Sequence, residues 1–368
     1  MSSLRALAVA LVACVGTPAD GDEARYSRSR SSPSELFEVP SAAAATGPGF
    51  RIVGRTSGTQ SPRFQWSGVS IDARFRGRSI VADLDAGEDG WFQVVVDGKP
   101  LSRIGGVGGR RKYRLAEDLS LGMHEVVLWR LTEPDDEAPS TFYGLSAPGG
   151  RLLSPPVHAH ALEVIGDSIT CGYGAEDVDP CRFRYTTENN YAAYASVAAR
   201  AVDADLHTEC WSGKGMFRNY DGSTDEAMPA LFARALPTDP KSRWDFSFVP
   251  DAVIVNLGTS DFHKGDPGRR FVTAYERFVS QLRERYPQAY LFVLIGPMLT
   301  GQSLQRAREY LDEVVHDRQT RGDARIRHIR VPPQEPRNGL GCYRHPTVET
   351  HRLMGEDLAA EMRAVLRW

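Results

Sequence analysis

Ser168 and His345 are two residues of this 368-residue chain that could together carry out nucleophilic chemistry. Ser168 follows a short apolar segment, residues 161–165, in the string Gly166-Asp167-Ser168, and His345 stands in "GCYRHP". A serine hydroxyl becomes an effective nucleophile when a base takes its proton, and the pKa of histidine suits that base. The pair therefore predicts attack on an acyl group, provided that the fold brings the two side chains together.

Attack on a carbonyl group creates an oxyanion, which needs hydrogen-bond donors already in place. The backbone N–H of Ser168 is one expected donor, because N–H groups at a helix start have no intrahelical partner. Gly213, in "WSGKG", is a second expected donor, since a glycine backbone can approach a substrate closely. Ser260, in "GTSD", offers a side-chain hydroxyl as a third. The predicted oxyanion donors thus come from three separate segments.

Trp211, Asp261 and His263 lie beside these segments and are candidate substrate contacts. Core packing is the alternative for Trp211, a loop-holding hydrogen bond for Asp261, and a solvated loop for His263. The chain has no CxxC spacing, and His351 is wrongly spaced from His345 for two ligands on one helix face. We therefore predict no metal site and no cofactor.

The segments that must position these side chains alternate between apolar strands and helical stretches from His158 onwards. Strands are predicted at "ALEVIG", "ADLHTE", "DAVIVNLG", "YLFVLIG" and "IRHIRV", and helices at 188–203, 269–286, 303–320 and from Thr347. Such alternation is typical of a parallel sheet covered by helices on both faces. Right-handed crossovers place the carboxyl ends of all these strands, and hence the polar residues after them, at one edge of the sheet.

The segment from Phe50 to about Pro155 has a different pattern, with short stretches in which apolar and polar residues alternate. This alternation indicates half-buried strands, and Asp97-Gly98 is a typical hairpin turn. We therefore predict two domains, an all-β sandwich over 47–155 and an α/β domain over 156–368.

The amino-terminal residues predict export. Residues 1–14 combine one cation with a short apolar stretch, and the string ending at Cys14 resembles a bacterial lipobox, in which that cysteine carries lipid. Ordinary secretion and no export are the alternatives. Residues 15–46, rich in Ser, Ala, Gly, Pro and Arg, predict a disordered tether.

Four cysteines remain beyond the predicted lipobox. An even number in an exported protein permits disulfides. Cys171 with Cys181 is the simplest pair because they are close in sequence, and four buried thiols are the alternative.

The strings "GDSIT", "SGKG", "GTSD" and "HP", in this order, resemble the four blocks of the SGNH (GDSL-type) hydrolases. The longer strings "GDSITCGYG", "WSGKGMFRNY" and "GCYRHP" are similar to carbohydrate esterase family 2, whose members remove acetyl groups from xylan and related glycans. The resemblance implies a flavodoxin-like parallel sheet preceded by a jelly-roll-like sandwich. It also implies Ser168 as nucleophile, His345 as base and Gly213 as oxyanion glycine, with Gly215 as the alternative to Gly213.

Two positions depart from the family pattern. Ser260 stands where the third block usually carries asparagine, and its shorter side chain is a weaker candidate donor. Cys342 and Tyr343 stand where the family often has an acid before the histidine. A backbone carbonyl group could orient His345 instead, which would give a Ser–His dyad.

The expected partner is an acetylated oligo- or polysaccharide. A net charge of −3 gives no reason to expect nucleic acid. No apolar run reaches the roughly 18 residues of a membrane span, so membrane contact is expected only through lipid on Cys14. The alternatives are a glycan-binding protein with weakened catalysis, motivated by the two departures, and an esterase for lipids or short acyl chains.

Overall fold

The computed structural model describes residues 49–134 and 138–368. The predicted signal segment, the lipobox cysteine Cys14 and the tether over 15–46 lie outside the described residues. Among the helices that are described, none has the length and hydrophobicity needed to cross a membrane.

The amino-terminal part of the described chain is an antiparallel sandwich, as predicted. Within the described residues, a six-stranded sheet has the order β1-β3-β8-β5-β6 with β10 added beside β3, and a four-stranded sheet has the order β2-β9-β4-β7. Asp97 and Gly98, both with positive φ, form the predicted hairpin turn between β5 and β6. The strands are β1 (Phe50–Val53), β2 (Arg63–Phe64), β3 (Ser70–Gly77), β4 (Ile80–Asp85), β5 (Trp91–Val96), β6 (Lys99–Gly105), β7 (Arg111–Ala116), β8 (Gly122–Arg130), β9 (Ser140–Ser146) and β10 (Arg151–Leu153).

The carboxyl-terminal part is built on a parallel sheet in the order β12-β11-β13-β14-β15, which is the flavodoxin-like arrangement. Its strands are β11 (His160–Gly166), β12 (Ala204–Cys210), β13 (Ala252–Asn256), β14 (Tyr290–Leu294) and β15 (Ile326–Ile329). The described helices are α1 (Ser168–Cys171), α2 (Tyr194–Ala201), α3 (Met228–Leu231), α4 (Thr259–Phe262), α5 (Arg269–Arg285), α6 (Gly301–Thr320) and α7 (Val348–Leu366). The fold class predicted from the sequence is therefore confirmed.

One helix is shorter than its sequence predicts. The stretch 188–203 becomes helical only at Tyr194, because Asn190–Ala192 forms a 3₁₀ turn first. The side chain of Asn189 accepts a hydrogen bond from the N–H of Ala192 and so stabilises this turn. The last helix starts as predicted, with the hydroxyl of Thr347 accepting from the N–H of Thr350.

Alternate side chains of the central strands pack into different hydrophobic clusters. Ile165 and Val255 belong to the cluster that includes α5 and α6. Val164 and Ile254 belong to the cluster that includes α2 and α7. A strand with both faces covered must be apolar at nearly every position, which explains the continuous apolar runs in the sequence.

The sandwich and the parallel sheet are joined by buried polar contacts, and the described residues form a single compact unit. Arg55, just after β1, forms ion pairs with Glu163 of β11 at 2.7 Å and Glu209 of β12 at 2.8 Å, and all three side chains are fully buried. Trp129 of β8 donates its indole N–H to the side chain of Asn190. Because buried charges are costly without their partners, these contacts make the stability of each part depend on the other.

Candidate active site

Ser168 lies where the central strand β11 ends. It is the first residue of the four-residue helix α1, and Asp167 caps that helix by accepting a hydrogen bond from the N–H of Ile169. The helix ends at Gly172, whose φ of +82° is a left-handed conformation that favours glycine. The "GDSITCG" string therefore encodes a strand, a cap, one helical turn and a stop, which fix Ser168 at the carboxyl edge of the sheet.

His345 is in direct contact with Ser168, although 177 residues separate them in the chain. The distance from His345 Nε2 to Ser168 Oγ is 2.8 Å, and the distance from His345 Nδ1 to the carbonyl oxygen of Cys342 is 2.9 Å. A carbonyl oxygen can only accept, so Nδ1 carries the proton and Nε2 is free to accept from the serine hydroxyl. The ring is thus oriented by a backbone carbonyl group in place of the missing local acid.

Burial sets the charge of this histidine. Desolvation lowers the pKa of His345 to about 4, while hydrogen bonding to the backbone at Cys342 and Tyr343 opposes the shift. At neutral pH the imidazole is therefore uncharged and able to act as a base.

Gly213 and Ser260 follow β12 and β13, which are the two neighbours of β11 in the sheet, so the segments that carry these residues lie on either side of the one that carries Ser168. Among the described residues, none accepts a hydrogen bond from the N–H of Ser168 or of Gly213, so both donors remain available. The N–H of Gly215 instead donates to the side chain of Asn219, which argues against Gly215 as the donor. Ser260 is buried in α4, and its hydroxyl has no partner within the described part of the chain.

Of the two roles that the sequence left open for Asp261, the structure supports the loop-holding one and not the substrate contact. Its carboxylate is fully buried and accepts hydrogen bonds of 2.8 Å from the N–H groups of Met216, Phe217 and Arg218. Burial raises its pKa, and these N–H groups oppose that shift. A carboxylate with these partners holds the loop after β12 in place and cannot reach a ligand.

The other two predicted contacts remain candidates. His263 is exposed, and its ring stacks on that of Tyr220 with 3.7 Å between the ring centroids. Trp211 is half-buried and packs against the hydrophobic core, with the ammonium group of Lys214 at 5.0 Å from its ring. His263 is therefore accessible to a ligand, and the ring of Trp211 is partly covered by core residues.

Two disulfides brace the site, and their pairing differs from the simplest expectation. Cys171 pairs with Cys210, and Cys181 pairs with Cys342. Sequence proximity was a poor guide, because each disulfide joins the segment after β11 to a distant part of the chain, 39 residues away for Cys171 and 161 residues away for Cys181. The first disulfide joins the helix of Ser168 to the end of β12, and the second joins the loop after that helix to the turn before His345.

Glu133, from the segment after β8 of the sandwich, was not predicted from the sequence. Its buried carboxylate accepts a hydrogen bond of 2.7 Å from the N–H of Ser212, next to Gly213. Its own N–H donates to the carboxylate of Glu188. The sandwich thus holds the loop that carries a predicted oxyanion donor. No motif contains Glu133, so nothing in the sequence indicated this role.

Four groups of side chains are close enough to share a cation, and each already has other partners. Two of the groups contain disulfide-bonded cysteines. Arg51 forms ion pairs with Asp72 and Asp205 of the third group, and Arg55 forms ion pairs with Glu163 and Glu209 of the fourth. An arginine already contacts the carboxylates of these two groups, so a metal cation there would have to displace it.

Comparison with known proteins identifies two adjacent family matches. Residues 52–156 match the family model "Carbohydrate esterase 2 N-terminal", and residues 164–353 match "GDSL-like Lipase/Acylhydrolase family". A solved family two carbohydrate esterase from Clostridium thermocellum, in complex with cellohexaose, superposes with a TM-score of 0.83 and 36% identity. The alignment covers 87% of this chain and all of that one.

Two curated relatives agree with this assignment. "Cellulase/esterase CelE" of Acetivibrio thermocellus is 36% identical over 327 residues, which are 87% of this chain and only 40% of that protein. An "Acetylxylan esterase / glucomannan deacetylase" of Cellvibrio japonicus is 27% identical over 333 residues, which are 88% of this chain and 91% of that protein. The chain belongs to the GDSL-like lipase/acylhydrolases and, among them, to carbohydrate esterase family 2, and it is an SGNH-type carboxylic ester hydrolase.

Proposed function

We propose that this protein removes O-acetyl groups from xylan or a related glycan, with Ser168 as nucleophile and His345 as base. The observation that carries the proposal is the 2.8 Å hydrogen bond between Ser168 Oγ and His345 Nε2 at the carboxyl edge of the sheet. The family supports the ester-hydrolase chemistry, and the relatives named for acetylxylan support the substrate class.

In the first half of the proposed reaction, His345 Nε2 takes the hydroxyl proton of Ser168 while Oγ attacks the acetyl carbon. The carbonyl oxygen becomes an oxyanion, which accepts hydrogen bonds from the N–H groups of Ser168 and Gly213, with the hydroxyl of Ser260 as a third donor. The ester C–O bond then breaks, and the leaving sugar oxygen takes the proton from Nε2. The products of this half are a free sugar hydroxyl and an acetyl-serine.

In the second half, His345 takes a proton from water, and the resulting oxygen nucleophile attacks the acetyl-serine. The same donors hold the second oxyanion. The bond to Ser168 Oγ then breaks, Nε2 returns the proton to the serine, and acetate leaves. No cofactor enters this sequence, since the histidine gives one proton to the leaving sugar oxygen and returns the other to Ser168 Oγ.

The test is acetate release from acetylated xylan and from 4-nitrophenyl acetate by the wild type and by Ser168→Ala. We expect hydrolysis by the wild type and a loss of at least 10³-fold in kcat for the variant, since the nucleophile is removed. If the wild type is no faster than the variant, the deacetylase proposal is refuted and the alternative of a glycan-binding protein with weakened catalysis is favoured. If longer acyl esters are hydrolysed faster than acetyl esters, the lipid-esterase alternative replaces the proposal.

We further propose that the protein is exported and anchored by lipid on Cys14. The two disulfides support export, because such bonds persist in oxidising compartments. Palmitate labelling in cells, together with membrane fractionation, tests the anchor. Cys14→Ser is expected to abolish labelling and to release the protein from the membrane fraction, and an unlabelled wild type would refute the anchor.

A further inference from the structure

Four aromatic side chains form a continuous cluster beside the base, which we call the aromatic wall: Tyr173, Phe183, Tyr185 and Tyr343. The ring of Tyr173 lies 4.6 Å from that of His345 between centroids and stacks on Phe183 at 3.9 Å, with the two planes 7° apart. Phe183 meets the edge of Tyr185 at 5.3 Å. Tyr343 lies 6.4 Å from Tyr173.

The aromatic wall is only partly covered by protein. Tyr173, Phe183 and Tyr185 are half-buried, and Tyr343 is 56% exposed. Aromatic rings buried for stability alone are usually covered, whereas an exposed aromatic surface beside a reactive group indicates a binding site. Tyr343 therefore presents an aromatic surface near the base that packing within the cluster does not cover.

The backbone holds Tyr343 in an unusual conformation. Tyr343 and Arg344 have φ values of +52° and +63°, a left-handed region that a bulky residue rarely adopts. The disulfide of Cys342 to Cys181, two residues from Phe183, joins the two loops that carry the wall. Strain of this kind persists where surrounding structure enforces it, and it clusters at functional sites.

The reaction itself decides which part of the substrate lies next to His345. The acetyl oxygen must face the N–H groups of Ser168 and Gly213, whereas the leaving oxygen must reach His345 Nε2 to receive its proton. The group attached to the leaving oxygen is the sugar. A surface built around His345 therefore meets the sugar, and the acetyl group lies on the oxyanion side.

We propose that the aromatic wall is the subsite for the sugar ring that carries the scissile acetyl group and for its neighbour, with Tyr343 as the exposed stacking residue. The C–H face of a pyranose packs on an aromatic ring, and tyrosine adds a hydroxyl at the solvent edge. This inference rests on the proposed glycan deacetylation. It goes further by assigning specificity to a residue that stands where the family often carries an acid.

The direct test is binding of unacetylated xylohexaose to Ser168→Ala, measured by calorimetry with and without Tyr343→Asn. Asparagine removes the ring and tolerates the left-handed backbone, so the turn that orients His345 is retained. We expect about 3- to 10-fold weaker binding for Tyr343→Asn, as for one lost aromatic contact. Tyr343→Phe keeps the ring, and Val178→Ala changes an exposed side chain in the loop that carries Phe183, so both should stay within twofold of the parent.

A kinetic test uses two substrates that differ only in the leaving group. The wild type and Tyr343→Asn are compared by kcat/KM on acetylated xylo-oligosaccharides and on ethyl acetate, whose leaving group is too small to reach the wall. The ratio of the two values should fall about 3- to 10-fold in the variant. The subsite is refuted if Tyr343→Asn leaves this ratio unchanged. It is also refuted if Ser168→Ala binds xylohexaose equally well with and without Tyr343→Asn, or does not bind it detectably.

The subsite and the proposed function can fail separately. Binding that depends on Tyr343, in a wild type that hydrolyses ethyl acetate and releases no acetate from glycans, would refute glycan deacetylation and support the subsite. Glycan deacetylation that is indifferent to Tyr343→Asn, with unchanged binding, would support the function and refute the subsite.

Discussion

Glu133→Ala tests whether the sandwich is needed for catalysis beyond being folded. The Glu133 carboxylate is 2.7 Å from the N–H of Ser212, and the next residue, Gly213, supplies a proposed oxyanion donor. Removal of the carboxylate leaves that N–H without its charged acceptor and frees the loop at this point. Asp261 still binds residues 216–218 of the same loop, so we expect the donor to be displaced and the loop to remain folded.

The expected loss in kcat lies between no effect and the effect of losing one oxyanion donor completely. Complete loss of one oxyanion donor costs about 3–4 kcal/mol, or roughly 10²–10³ in kcat. A displaced donor should still stabilise the oxyanion in part, so its displacement should cost less than its complete loss. We therefore expect kcat for Glu133→Ala to fall about 10- to 100-fold with KM nearly unchanged. Glu133→Gln keeps an acceptor oxygen without the charge and should lose only about 3- to 5-fold, since a charged hydrogen bond is roughly twice as strong as a neutral one.

The assay is steady-state hydrolysis of ethyl acetate, with thermal unfolding measured on the same samples. Glu125→Ala is the matched control, because Glu125 lies on β8 of the same sandwich and pairs with Arg74 at the surface. It should leave kcat unchanged. If Glu133→Ala is folded and its kcat is within twofold of the wild type, the carboxylate does not position the oxyanion loop.

Three further predictions concern the base, its loop and the interface. Because burial lowers the pKa of His345 to about 4, kcat/KM should stay high down to about pH 5 and fall near pH 4, and a pH–rate profile with an acid limb at pH 6.5 would contradict this. The same shift means that stability declines as pH drops from about 6.5 towards 4, since the unfolded imidazole takes a proton that the folded one refuses. Replacing Cys181 and Cys342 together by serine should lower both the melting temperature and kcat, because the disulfide holds the carbonyl group that orients the base. An unchanged kcat would show that the disulfide does not position His345. Arg55→Met should lower the free energy of unfolding, measured in urea, by about 3–5 kcal/mol, against about 0–1 kcal/mol for Arg74→Met at the surface. Equal losses for the two variants would refute the stabilising role of the buried ion pair.

The sequence predicted the fold class and the meeting of Ser168 with His345 because both depend on strong local patterns. Continuous apolar strands alternating with helices leave few arrangements besides a parallel sheet, and that sheet brings the residues after its strands to one edge. What orients His345 was left open by the sequence, with a backbone carbonyl group as one possibility, and the structure has the carbonyl oxygen of Cys342 there. These features require only the order of elements and the chemistry of short strings.

The remaining features depend on contacts between segments far apart in the chain. Glu133 reaches the site from the sandwich, and nothing in its neighbours indicates that it meets Ser212. The disulfide pairing depends on which loops lie side by side, information that sequence spacing does not carry. For Asp261 the sequence left two roles open, and only the burial of its carboxylate decides between them.

Among the described residues, the hydrogen-bond partner of His345 Nδ1 is a carbonyl group and not a carboxylate, which increases the importance of the contacts that hold the oxyanion loop. A catalytic acid stabilises the imidazolium that forms during attack, and a carbonyl dipole does so less strongly. With the pKa of His345 held at about 4 by burial, proton transfer from Ser168 is harder, and stabilisation of the oxyanion must supply more of the catalysis. Donors stabilise an oxyanion well only when they are fixed beforehand, and here Glu133 and Asp261 each fix part of the loop that carries Gly213. On this reasoning, substitutions that loosen the loop should cost more in kcat than in stability.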